Sequence, residues 1–232
     1  MTFLIIIWYV LIALVPGIFW IWFYRRKDKN PEPRKLIIKV FLVGMAITLP
    51  AIVFEYATEF FFPFFNVANL FTIVASSLFI VAPIEEYLKY YVVKKIALRN
   101  KAFDEPIDGV IYGVVAGLGF ASLENLIVIS AEGQDIIILR FATATLMHAI
   151  TTGIVGYYLS MYKFSKEEAK KKYPVWKGLI IAITIHGIYN SIVSTQTVLT
   201  LFILIAFLII IYVLLAIRIK KLKKLDTFLP ES

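Results

Sequence analysis

"FIVAPIEEYLKYYVVKK", residues 79–95, decides the fold. The segment around it, about 69–93, is long and apolar enough to cross a bilayer, whose hydrocarbon core needs about 20 helical residues. Yet Glu85 and Glu86 stand side by side inside it. An ionised carboxylate at mid-helix costs about 2.5–3.5 kcal/mol on insertion scales. Lys89 lies one helical turn after Glu85, so an i, i+4 ion pair accounts for one carboxylate. Adjacent helical residues point about 100° apart, so Glu86 needs another partner. Pro83 removes a helix hydrogen bond just before the pair and predicts a kink there.

Composition extends the membrane reading to the whole chain. Of 232 residues, 60% are apolar and 17% charged, and the mean hydropathy is +0.83. A soluble domain carries nearer a quarter charged residues. Seven segments are predicted to span: about 3–24, 37–60, 69–93, 107–131, 136–162, 177–195 and 197–217. The expectation is an all-α polytopic membrane protein forming a single domain, 1–232, with its motif-bearing core at about 75–195. The N-terminal run has no positive n-region and reads as a retained span rather than a cleaved signal peptide. The chain has no cysteine, which excludes a thiolate nucleophile and a Cys-ligated zinc site.

Charge orients the spans. The 24 Lys and Arg residues cluster at 25–39, 89–101, 163–177 and 218–224, with Arg140 alone near the opposite loops at 61–68, 131–135 and 194–197. The positive-inside rule then predicts an N-terminus outside and a cytoplasmic C-terminus. The net charge of +8 belongs to a face meeting anionic lipid, and nucleic acid needs no role.

Few ionisable groups remain inside the spans: Glu85, Glu86, Glu124, His148 and His186, accompanied by Asn125 and Asn190. Both histidines of the chain are among them. Such groups usually face a bundle interior or a wet cavity and pair with one another. At about 1.5 Å per residue they fall at overlapping depth on four spans, which predicts one shared polar cavity. "HGIYN" sets His186 and Asn190 one turn apart on one face, and "HAITT" does so for His148 and Thr152. Gly109, Gly113 and Gly117 form a small-residue stripe that packs Glu124's helix closely on a neighbour. Glu55 and Glu59, among aromatics, are expected at the outer interface. Glu132 and Asp135 are loop residues, and Asp108 sits at a helix entrance.

These residue types limit the chemistry. GxSxG, HExxH, a phosphate loop and an intramembrane aspartate pair are all missing from the sequence. A glutamate can act as general base on water, and imidazole or an amide can donate to a tetrahedral oxyanion. Glu and His can also ligate zinc. A proton- or cation-coupled transporter is the competing class, since Glu/His chains serve as relays. The chain has neither the inverted repeat nor the paired broken helices of that class.

In order, "EEYLK" (Glu85, Glu86, Lys89), "FASLE" (Phe120, Glu124), His148 and "HGIYN" (His186, Asn190) resemble the EExxK, FxxxE, H and HxxxN motifs of PrsW-type intramembrane proteases, kin of the CAAX-prenyl endopeptidases. The resemblance covers about residues 75–195. Glu124 and Lys89 stand where the CAAX branch has His and Arg, which sets prenyl-CAAX processing aside. The resemblance implies that Glu85 activates water with Glu86 in support. It further implies that Glu124 helps bind that water and that His186 and Asn190 form an oxyanion hole, with His148 a further member. Lys89 and Phe120 would give structural support. The residues themselves leave open which of Glu85 and Glu86 is the base. The expected activity is cleavage of a membrane-anchored protein or peptide, for instance one like an anti-sigma factor, in the cell membrane. A metal-independent mechanism without cofactor is favoured. The alternative is zinc held among Glu85, Glu124, His148 and His186.

Overall fold

The computed structural model describes residues 2–27, 30–66, 69–132, 137–165, 174–195 and 197–226, and among these no strand forms. Among the described residues nine α-helices follow in order: α1 Thr2–Lys27, α2 Arg34–Ala46, α3 Thr48–Phe61, α4 Leu70–Ser76, α5 Ala82–Val92, α6 Asp108–Glu132, α7 Ile137–Phe164, α8 Val175–Val193 and α9 Val198–Asp226. Lys166, Lys170, Lys171, Lys172 and Asp135 lie outside the described residues, as do the side chains of Arg25, Arg26, Lys27, Glu132, Arg140, Lys223 and Lys224.

Prolines explain the two interruptions inside spans. Pro50 has no N–H for the carbonyl of Ala46, and the helix breaks at Ile47 between α2 and α3. Pro83 withholds the same bond from Phe79, and the preceding turn, Ser77–Val81, is wound as a π-helix. A second π turn, Val93–Ala97, follows α5. The expected kink beside the carboxylates is thus a widened turn on either side of them.

Among the described residues five helical stretches are long and apolar enough to cross a membrane: Arg34–Phe61, Leu70–Ala97, Asp108–Ala131, Val175–Val193 and Leu199–Leu222. In α1 the described side chains form a further apolar stretch, Ile7–Trp22. The protein is a polytopic, all-helical membrane protein. The fifth span expected from sequence corresponds to α7, which is 28 residues long but lined with polar groups. Thr143, Thr145, His148, Thr151, Thr152 and Ser160 are all buried on it. Between Thr143 and Met161 neighbouring helices cover most of α7, which accommodates these polar groups.

Close backbone approach builds the centre. A Cβ placed on Gly109, Gly113 or Gly117 of α6 would overlap the backbone of α7 at Gly156, Thr152 and His148 respectively. The small-residue stripe therefore does what its spacing predicted, and it seats His148 directly against α6. On the other side of α6, Gly119 meets the backbone of α2 at Phe41. A core of Val40, Val92, Tyr112, Ala116, Leu118 and Val155 fills this layer. Leu204, Leu208, Ile211 and Leu215, spaced by three and four residues, turn α9 onto a second core with Met147, Ile150 and Ile185. Phe202, Ile209 and Leu214 lie on its exposed side.

Candidate active site

Four helices deliver the site, as the depths in the sequence implied. Glu85, Glu86 and Lys89 come from α5, Glu124 from α6, His148 from α7 and His186 from α8, and of these only Glu124 is appreciably exposed. Glu86 sits at the hub. Its Oε1 accepts from Lys89 Nζ at 2.6 Å, from His186 Nδ1 at 2.8 Å and from the Thr151 hydroxyl at 3.1 Å. Its Oε2 is buried without a hydrogen-bond partner. Lys89 also reaches Glu85 Oε2 at 3.4 Å, so the closer member of the ion pair is Glu86, at i+3. Phe120 lies 4.6 Å below the Lys89 ammonium and 5.4 Å from the His148 ring, giving the cation an aromatic face.

The hydrogen bonds fix the imidazole tautomers. His148 Nε2 lies 2.7 Å from Glu124 Oε2, and its Nδ1 lies 2.9 Å from Lys89 Nζ. An ammonium only donates and a carboxylate accepts, so Nε2 carries the proton and Nδ1 a lone pair. His186 Nδ1 donates to Glu86, which leaves its Nε2 lone pair facing Glu85 Oε2 at 3.8 Å. His148 Nδ1 stands 3.9 Å from the same oxygen. The two rings meet edge to face, 5.1 Å between centres. One donor atom each of Glu85, His148 and His186 thus lies within 4.8 Å of the others. Each ring is oriented by a carboxylate on its far nitrogen, the arrangement that tunes histidines ligating a metal.

Other residues depart from expectation. Thr151, three residues after His148, bonds Glu86, whereas Thr152 Oγ1 has no partner. Only the i+4 neighbour had been read from "HAITT". Asn190 is half-buried one turn beyond His186, and its side-chain amide bonds no described residue. Asn125 joins α6 to α7 through Thr145 at 3.0 Å, away from the glutamate hub. Asp108 caps the entrance of α6 by accepting from the Glu105 N–H at 2.7 Å. Glu55 differs most: it is half-buried, and its Oε1 is sealed from solvent. The spacing Thr48, Ala51, Glu55 places it on the buried face of α3, a signal that its aromatic neighbours masked.

Residues 32–217 match a family described as PrsW family intramembrane metalloprotease. The chain belongs to the PrsW family. Similar proteins include Protease PrsW of Oceanobacillus iheyensis, 31% identical over 195 residues that cover 84% of this chain and 86% of the relative. Protease PrsW of Shouchella clausii is 31% identical over 221 residues, covering 94% and 97%. Protease PrsW of Clostridioides difficile is 30% identical over 222 residues, covering 92% and 90%. No solved structure matches the chain. Membership of the PrsW family supports an intramembrane peptidase, a hydrolase working within the bilayer, and the polar cluster at the centre of the helices is its candidate active site.

Proposed function

We propose that this protein is an endopeptidase of the cell membrane that hydrolyses a peptide bond of a membrane-anchored protein or peptide, with Glu85, His148 and His186 holding a zinc ion. The observation that carries this reading is the convergence of two imidazole lone pairs on Glu85, each ring steadied by a carboxylate. Formal charge favours it too. Glu85, Glu86 and Glu124 against Lys89 leave two negative charges in a nearly dry site, which one divalent cation balances. When bound, zinc would polarise the scissile carbonyl and make water more acidic.

The chain's own groups supply the rest. Glu86 Oε2, the acceptor without a partner, takes a proton from the attacking water. Lys89 and Thr151 hold its other oxygen in place. As the carbon–nitrogen bond breaks, that proton passes to the leaving amine. Asn190, with its amide unengaged, donates to the oxyanion. The N-outside, C-cytoplasmic orientation is retained from the distribution of basic residues.

A metal-free mechanism, favoured from the sequence, has one observation in its support. The Lys89 ammonium already lies against His148 Nδ1 and Glu85, in the position of a cation. In that reading Glu85 is the base, and His186 joins Asn190 at the oxyanion. One assay separates the two. Purified protein in detergent is given membrane-anchored peptides with and without a strong chelator, beside Glu85→Gln. Cleavage lost on chelation and restored by zinc is expected. Cleavage that survives chelation but fails in Glu85→Gln would move the mechanism to the metal-free form. A folded wild type that cuts nothing in a broad peptide set would sink the protease assignment.

A further inference from the structure

Glu55 lies beside the site without being part of the cluster. Two features determine its position. The Thr48 hydroxyl donates to the Phe120 carbonyl at 3.3 Å, which sets α3 level with α6. From that level Glu55 is seven residues along α3 and Glu124 four along α6. With both helices rising about 1.5 Å per residue in the same sense, Glu55 stands about 4–5 Å beyond Glu124. In the orientation proposed above, it lies on the outer side of the site. Its helix packs against α5 and α6, which carry Glu85, Lys89 and Glu124.

Its surroundings leave it incomplete. Val53, Phe54 and Tyr56 beside it are exposed toward lipid, so the carboxylate turns inward. Its Oε1 is buried, and no donor reaches that atom among the described residues. A buried acceptor left unpaired costs about 1–3 kcal/mol, more for a charged group. Lys89, the buried cation of the site, is already held by Glu86, Glu85 and His148. A donor for Glu55 would therefore arrive with whatever enters the site. A cationic side chain crossing into the bilayer has the matching problem, since it is costly there without a counter-charge.

We infer that Glu55 is a specificity-determining residue, which receives a lysine or arginine side chain of the substrate on the outer side of the scissile bond. This rests on the peptidase reading of the site and deepens it.

The test uses single-span peptides in lipid nanodiscs, identical except that one residue of the outer half is Lys, Gln or Glu, moved position by position. Binding is measured on the Glu85→Gln protein and cleavage on the wild type. At one position the Lys peptide is expected to exceed the Gln peptide about tenfold in both measurements, the size of a desolvated charge pair. Glu55→Gln, nearly isosteric, should collapse that ratio to near one, and Glu55→Lys should turn the preference toward the Glu peptide. A Lys/Gln ratio of one in the wild type at every position would overturn the inference. So would Glu55→Gln lowering both peptides equally, as a water- or proton-handling residue would. A Glu55-dependent binding preference without any cleavage would show the cation contact at Glu55 but remove the peptidase reading, and with it the scissile bond on which the inference rests.

Discussion

Glu86 ties three helices together, and substitutions around it separate architecture from chemistry. One oxygen accepts from a lysine, a histidine and a threonine that come from three helices. Lys89→Met removes the cation paired with buried Glu85 and Glu86 and should destabilise the fold by about 3–5 kcal/mol, the range for breaking a buried pair on one side. Denaturation in mixed detergent would measure it, and a change below about 1 kcal/mol would show that the pair is hydrated instead. Glu124→Gln is expected to act differently. It weakens the orientation of His148 without removing a ligand, so activity should fall about 10–100-fold and recover in part as zinc is raised. Failure of zinc to restore any activity would count against a metal at this position. At this scale the sequence was informative, because ionisable residues in apolar helices are few and each stands out. Thr151 does not stand out and Glu55 is expected at the interface, both for physical reasons. A threonine in a membrane helix can satisfy itself on its own backbone, and a glutamate among phenylalanines resembles an interfacial residue.

The elements hold the site through helix contact at backbone distance. Gly113 of α6 faces the α7 backbone at Thr152, where no added methyl fits. Gly113→Ala should therefore cost about 1–3 kcal/mol and displace His148, one turn away on α7, with loss of cleavage. Gly153→Ala is the control. A Cβ there would meet only the side-chain tips of Val114 and Leu215, at 3.2 and 3.3 Å, so the change should be nearly silent. Alanine is the better helix former, so propensity alone would make both variants more stable; equal losses would show that the backbone approach at Gly113 carries no special weight. The small-residue stripe was legible from its spacing of four. The π turns flanking α5 were not, since Pro83 foretells an interruption but not whether the helix bends or widens.

Over the whole molecule, most spans were legible because hydrocarbon demands long apolar helices. The break at Ile47 has its cause in Pro50, yet Pro16 leaves α1 continuous, so a proline alone does not foretell a break. Which helices cover the polar side of α7 depends on packing that the sequence does not show. Orientation can be tested directly, because the chain has no cysteine to remove. Single-cysteine variants Ser130→Cys and Lys220→Cys occupy exposed positions at the two ends of the bundle. A membrane-impermeant maleimide applied to intact cells should label the first and spare the second. The reverse pattern would invert the topology and move Glu55 to the cytoplasmic side of the site.

The polarity of α7 also bears on how the chain is made. A nascent helix is passed to lipid according to its own apolarity, and α7 presents buried threonines, a histidine and a serine. It should leave the translocon poorly by itself and well once α6 is beside it, with the glycine seam already closed. A reporter fused after α7 alone should be extracted by alkaline carbonate, and one fused after the α6–α7 hairpin should stay in the membrane. The helix that carries His148 would then depend for its insertion on the helix that carries Glu124, the glutamate steadying that ring, and the candidate site would begin to assemble during synthesis.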